Sequence, residues 1–431
     1  MRPLLAALLL AGTAHAARAN DAPKAADGLI PFYKHLHANP ELSNMETATA
    51  ALMARELRSA GFEVTEGLGG TGVVGVLENG SGKTVMLRAD MDGLPVVEET
   101  GFDFASTRRV TNQSGEEQPA MHACGHDIHM TSVMGAAMEL SDDREAWSGT
   151  LIVIFQPAEE TVQGAPAMLA DGLFTRFPRP DYNLALHVNS AMPTGTIGYT
   201  PGYALANVDT VDIVVKGVGG HGAYPNTTKD PIVVASALVM ALQTIVSRET
   251  QPGEAAVVTV GSIHGGHKHN IISDEVKLEL TVRSYTDEVR ESTLASIRRM
   301  AEQVARTFGV PDDRLPVVSL LDQSTPSTFN DPDLTSHVAE LLSETFSDAA
   351  IVEIPPVMGG EDFAHYGRQE PRIPSLIYWL GAASPEAYAE SQKTSEPLPS
   401  LHSPIFAPDY ANAIPMGVKS LASAAVHLFN S

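Results

Sequence analysis

Thr150-Leu151-Ile152-Val153-Ile154-Phe155-Gln156-Pro157-Ala158-Glu159-Glu160 is the stretch on which the fold turns. An unbroken apolar run of this length, rich in β-branched residues, predicts a strand buried on both faces. It stops abruptly at Gln156-Pro157 and delivers two adjacent carboxylates. The C-terminal edge of strands is where open α/β sheets bind ligands. Neighbouring side chains in extended chain point to opposite sides, so one of Glu159 and Glu160 can grip a cation while the other faces a substrate. A solvated acidic turn is the alternative reading of these residues.

Outward from this strand, helical and strand periods alternate. A helix is expected over 46–60, ending at Gly61, followed by strands at 71–77 and 84–89, a helix over 125–140, a short helix at 165–173 and a strand at 182–188. This rhythm predicts an α/β domain with a mostly parallel sheet. From Ala204 the texture changes to a strand at 208–216, a helix over 231–248, strands at 255–264 and 275–285, and a helix at 288–307. That order marks a compact, ferredoxin-like α+β unit. A helix at 331–346, a strand at 375–379 and a closing helix at 409–428 then resume the first pattern, with a loop at 395–403. The expected division is therefore 20–203 with 316–431 as one domain, and 204–315 inserted within it.

The first residues read as a secretory signal over 1–19: Met1-Arg2-Pro3, an apolar run from Leu4 to Ala11, then small residues that place cleavage near Ala16 or Ala19. A secreted or periplasmic protein is expected, and no later stretch is expected to reach the roughly 20 apolar residues of a membrane span. The formal net charge of −24 argues against nucleic acid and anionic membranes as partners. One cysteine, Cys124, excludes an intramolecular disulfide and leaves an exported thiol in need of another role.

That thiol sits in His122-Ala123-Cys124-Gly125-His126-Asp127-Ile128-His129, at an expected loop-to-helix junction. Thiolate and imidazole are preferred ligands of zinc-like ions, although a nucleophilic cysteine with a histidine partner reads equally well from this segment alone. Glu159 and Glu160 favour metal, because a thiol protease has no use for paired carboxylates, whereas a two-metal hydrolase uses one as ligand and its neighbour as proton carrier. His187 at a strand end, His402 in Leu401-His402-Ser403-Pro404, and the acidic residues of Arg88-Ala89-Asp90-Met91-Asp92-Gly93 are further candidates, the last able to orient a ligand imidazole.

Together with His221-Gly222-Ala223-Tyr224-Pro225 and Met358-Gly359-Gly360-Glu361-Asp362-Phe363, these segments resemble the M20 metallopeptidase family. Within it they are similar to the amidohydrolase branch of hippurate hydrolases, N-acyl-amino-acid deacylases and auxin-conjugate hydrolases. The resemblance implies two divalent metal ions, zinc foremost with manganese, cobalt or nickel able to substitute. Their implied ligands are Cys124, His126, Glu160, His187 and His402, with Cys124 bridging and His126 supplying an imidazole that the peptidase branch places where this chain has Arg88. It implies Glu159 as general base and acid and Asp90 as its supporting aspartate. His221, Asn270, Arg283 and Gly360 become substrate-binding residues, and the inserted domain becomes a lid and homodimer interface. The implied substrate is an N-acyl amino acid. A metal-dependent dipeptidase and a non-catalytic binder of peptides or acyl-amino acids are the alternatives.

Overall fold

Gly149–Gln156, the strand that carries the deciding stretch, lies third in an eight-stranded sheet of the computed structural model. The structure describes residues 22–112 and 114–431, so the leader read at 1–19 falls outside it. Across the sheet the strands run Glu63–Leu68, Gly72–Asn79, Gly149–Gln156, Lys83–Asp90, Tyr182–Pro193, Ser375–Ala383, Thr196–Tyr199 and Ala350–Glu353. Gly149–Gln156, Lys83–Asp90, Tyr182–Pro193 and Ser375–Ala383 pair in parallel, and antiparallel ladders flank them. From Leu151 to Gln156 the strand is buried throughout, as the absence of polar alternation requires.

This sheet belongs to a unit comprising the described residues up to Gly202, Phe329–Pro355 and His365–Ser431. Helices Leu29–Ala38, Thr47–Ser59, His126–Asp142 and Tyr410–Phe429 supply much of the rest of its core. His126–Asp142 is buried on nearly every side and packs against both Leu29–Ala38 and Tyr410–Phe429. It therefore has no polar stripe, and its ends are set by Gly125 and by the acidic run at Asp142-Asp143.

Tyr203–Thr328 and Pro356–Ala364 form the other unit. Its four-stranded antiparallel sheet has the order Ala256–Gly265, Glu275–Ser284, Asn207–Lys216, Val317–Leu320. With helices Pro231–Thr244 and Asp287–Thr307 this is a βαββαβ, ferredoxin-like arrangement. Burial alternates strictly along Asn207–Lys216, so Val211, Ile213 and Val215 meet the core and their neighbours do not. Two expectations are corrected here. The unit runs past residue 315, because Val317–Leu320 zips onto Asn207–Lys216, and it takes in Pro356–Ala364, whose Val357 and Gly359 carbonyls accept from the Ala206 N–H at 3.2 and 2.9 Å. Pro231–Glu249 is also long and apolar enough to cross a membrane by length and composition. In the structure its Val234, Ala235, Leu238, Leu242 and Ile245 pack into this unit's core.

Asp209 is fully buried in the same unit and accepts from Arg290 Nε at 2.7 Å, Arg290 Nη2 at 2.6 Å and Asn207 Nδ2 at 2.8 Å. Arg290→Ala removes the cation and leaves the carboxylate buried, which should cost about 3 kcal/mol and lower the urea midpoint accordingly. An unchanged midpoint would show that Asn207 alone suffices.

Candidate metal centre

Parallel pairing brings strand ends from distant segments to one edge, with Asp90 opposite Gln156 and His187 opposite Trp379. The sheet thus presents Asp90, the Pro157–Glu160 turn and His187 side by side. Cys124 and His126 arrive on either side of Gly125, whose φ of +82° suits glycine. A Cβ there would lie 2.4 Å from Val188 Cγ2, so glycine is needed for space as well. His402 comes from a loop whose N–H donates to the Ala123 carbonyl at 2.9 Å, and its own φ of +66° is a left-handed conformation that few non-glycine residues adopt.

All six residues expected to act as ligands or base converge. His402 Nε2 lies 3.3 Å and His187 Nε2 3.6 Å from Cys124 Sγ. Glu160 lies 3.5 Å from His402 Nε2 through one oxygen and 3.8 Å from His126 Nε2 through the other. Glu159 comes within 3.9 Å of His126 Nε2. The donors form compact triads of Cys124, His126 and His187, of Cys124, Glu160 and His402, and of His126, Glu159 and Glu160. Cys124 is common to the first two.

The imidazoles are pre-aimed. His126 Nδ1 donates to the Asp92 carbonyl at 2.8 Å and His187 Nδ1 to the Val188 carbonyl at 2.8 Å, which turns both Nε2 atoms inward. His126 Nε2 and Glu160 Oε1 are buried and make no hydrogen bond among the described residues. Such orphaned donors and acceptors are costly unless a cation satisfies them, and a thiol, three imidazoles and a carboxylate are a donor set suited to zinc-like ions. The residues fit two divalent cations.

His129, from the same segment as Cys124 and His126, is no donor to metal. Its Nδ1 donates to Asp90 at 2.7 Å, while its Nε2 accepts from the Val188 N–H at 2.9 Å, so neither nitrogen is available to a metal and the ring braces the strand that carries His187. Asp90 is fully buried between His129 and Arg88, whose Nη1 donates to it at 2.6 Å. Its Oδ2 also lies 3.8 Å from His126 Nε2. Asp92 accepts from the Glu160 N–H at 3.0 Å and from Ser43 Oγ at 2.6 Å. Glu46, overlooked in the sequence, is fully buried and accepts from the Ala158 N–H at 2.8 Å and from Thr71 Oγ1 at 2.7 Å, bracing the turn that presents Glu159.

Charge is held uneasily. Burial, then Glu160 and Glu159, push the Cys124 thiol well up. Burial lifts Glu160 to about 7 against the pull of His126. Burial would lower His126, but Asp90 and Asp92 raise it to about 10. His187 and His402 are lowered by burial and stay neutral, as ligands must.

The four residues expected to bind substrate lie in the second unit. His221 and Asn270 stand on adjoining segments, with the Gly222 N–H donating to the Asn270 carbonyl at 2.9 Å, and both line an open depression of about 700 Å³. Arg283 donates to the Met358 carbonyl at 2.6 Å. Gly360 packs so closely on Val208 that a Cβ would lie 2.2 Å from its Cγ2.

The fold and donor set define a mixed α/β protein with a candidate two-metal site. Residues 86–402 match the Peptidase family M20/M25/M40, and the chain belongs to it. It is 36% identical over 366 residues to thermostable carboxypeptidase 2 of Saccharolobus solfataricus, covering 84% of this chain and 88% of that one. It is 38% identical over 336 residues to the hippurate hydrolase of Campylobacter jejuni, covering 77% and 82%. The crystal structure of a dinuclear metal-binding M20 peptidase from Bacillus subtilis superposes with a TM-score of 0.76 at 29% identity, over 97% of this chain and 99% of that one.

Zinc binding must displace the protons of His126 and Cys124 and the share that Glu160 retains. About two to three protons per chain should be released at pH 7, and affinity should fall as pH falls. Zinc titration in weakly buffered solution checks this, and release of none would contradict the ligand set.

Proposed function

We propose that the protein hydrolyses the amide bond of N-acyl amino acids, giving a carboxylic acid and a free amino acid. The observation that carries this is a pair of adjacent carboxylates in the turn after the strand: Glu160 approaches both His126 and His402, at 3.8 and 3.5 Å, while Glu159 comes within 3.9 Å of His126. A protein that only bound its ligand would need no such second carboxylate. Two divalent cations, when bound, lower the pKa of water from 15.7 to about 7 and polarise a carbonyl.

Glu159 takes a proton from the attacking water, the acyl C–N bond breaks, and Glu159 returns that proton to the departing amine nitrogen. His126, held by Asp92, and His187, held by Val188, keep the cation donors fixed while Glu159 cycles. His221, Asn270, Arg283 and the backbone at Gly360 act as substrate contacts in this reading. A hippurate hydrolase and a carboxypeptidase among the relatives support the bond type. Each name describes an amide whose amine half is an amino acid with a free carboxylate. The carboxypeptidase likeness favours a second reading, in which the acyl half is itself an aminoacyl or peptidyl group.

The proposal extends to zinc as the native metal, to export through the leader, and to a homodimer through the second unit. Ile232, Val233 and Met240 on its long helix are exposed, and Ala256–Gly265 is an edge strand of its sheet. An exposed apolar face and an open strand edge both favour association.

Glu159→Gln should keep both metals and lose at least about a hundredfold in turnover. Near-normal rates would remove its assigned role. Cys124→Ala should lower metal content, and full occupancy would exclude the thiol as a ligand. Amine release from N-benzoyl, N-acetyl and indole-acetyl amino acids, set against dipeptides, distinguishes the two substrate readings. No release from any of them points to a binder.

A further inference from the structure

His37 lies outside the donor set, on helix Leu29–Ala38, and is 1% exposed. Its Nδ1 sits 2.7 Å from Asp127 Oδ2 and its Nε2 2.8 Å from Glu98 Oε1. Both carboxylates are buried, so each ring nitrogen faces an acceptor and the ring is an imidazolium shared between two anions. Burial alone would push the ring down, yet the bonds to Asp127 and Glu98 lift it to about 9. Tyr33, Phe102 and Phe104 wall it in, with ring centres 5.1 to 5.6 Å away. Burying one cation between two carboxylates in an aromatic box is expensive, and nothing in the hydrolysis described above uses it.

What the ion triplet joins gives it a purpose. Asp127 follows the ligand His126 and caps the Ile128 N–H at 2.9 Å, at the start of the helix. Glu98 accepts from the Ser106 N–H at 2.6 Å, and the next residue, Glu99, donates its N–H to the Pro404 carbonyl at 2.7 Å. Pro404 lies two residues beyond the ligand His402. A continuous path therefore runs from the His126 helix through Asp127, His37, Glu98 and Glu99 to the His402 loop. On the donor side that loop is pinned by the His402 N–H to the Ala123 carbonyl.

We infer that His37 is a positioning residue of the metal centre, its ring clamping Asp127 to Glu98 so that the His402 loop is held at the distance from His126 that the Cys124–Glu160–His402 triad requires. The inference rests on the metal-centre reading above. Of the two cations, the one held by His402 depends on the clamp, whereas the one held by His126 and His187 has its own carbonyl anchors at Asp92 and Val188. Loss of an outer partner of a metal ligand costs about 10- to 100-fold in affinity, and a clamp acting through one further link should fall at the lower end.

The test is zinc titration of the metal-stripped full-length protein against a chromophoric chelator, for wild type, His37→Gln and Glu98→Ala. Both variants should bind the first zinc as wild type does and the second about tenfold more weakly. In parallel, kcat should recover at high zinc with KM unchanged, a split that general loosening of the fold would not produce. If His37→Gln does not fold, Glu98→Ala decides, because it cuts the same path from a loop. Two folded variants that match wild type at both steps, or that weaken both steps equally, overturn the clamp and leave the metal centre standing. A wild-type protein that takes up fewer than two zincs overturns the metal centre and the clamp with it.

Discussion

Everything in the site depends on imidazoles whose outward nitrogens are already engaged. The Asp92 and Val188 carbonyls fix His126 and His187 in the tautomer that turns Nε2 toward Cys124 and the two glutamates. These anchors are backbone atoms, so the aim of the rings is set by the course of the chain and not by adjustable side chains. The cost falls on the centre, where a thiol, buried carboxylates and inward nitrogens are crowded together with unsatisfied atoms. That arrangement is stable only with positive charge at its middle, whether protons or metal ions.

The scaffold meets this cost by being overbuilt. Gly149–Gln156 is covered on both faces, and the helix beginning at His126 is buried along most of its length. Backbone movement near the donors would therefore disturb close-packed core. Glu46 shows how far the support extends: a buried glutamate on an N-terminal segment fixes the turn before Glu159, 112 residues away in sequence. The second unit is built on a different plan, with alternating burial along its strands and a core of its own.

Much of this was legible in the sequence. The strand at 150–155 and the helices at 46–60, 125–140 and 409–428 could be placed within about two residues, because apolar runs, period and flanking glycines agree. Thr196–Tyr199, Val317–Leu320 and Ala350–Glu353 could not, since four-residue strands carry too little pattern and exist only through partners far along the chain. Cys124, His126, Glu159 and Glu160 announced themselves by residue type and spacing. Glu46 did not, because an acidic residue at a helix start is ordinary until burial makes it unusual. His129 was visible as an imidazole, but its bond from the Val188 N–H, which withdraws it from the ligand set, is a property of the folded chain alone.

His402 is contributed by the last tenth of the chain, 278 residues after the cysteine it adjoins. Ribosomes build from the N-terminus, so the donor set is necessarily incomplete until synthesis is almost finished. A nascent chain in the cell interior can offer a passing ion only part of its final grip. Acquisition of the full metal complement is thus deferred to the finished polypeptide, and a truncation that removes this loop leaves the centre unfinished and takes the core helix Tyr410–Phe429 with it.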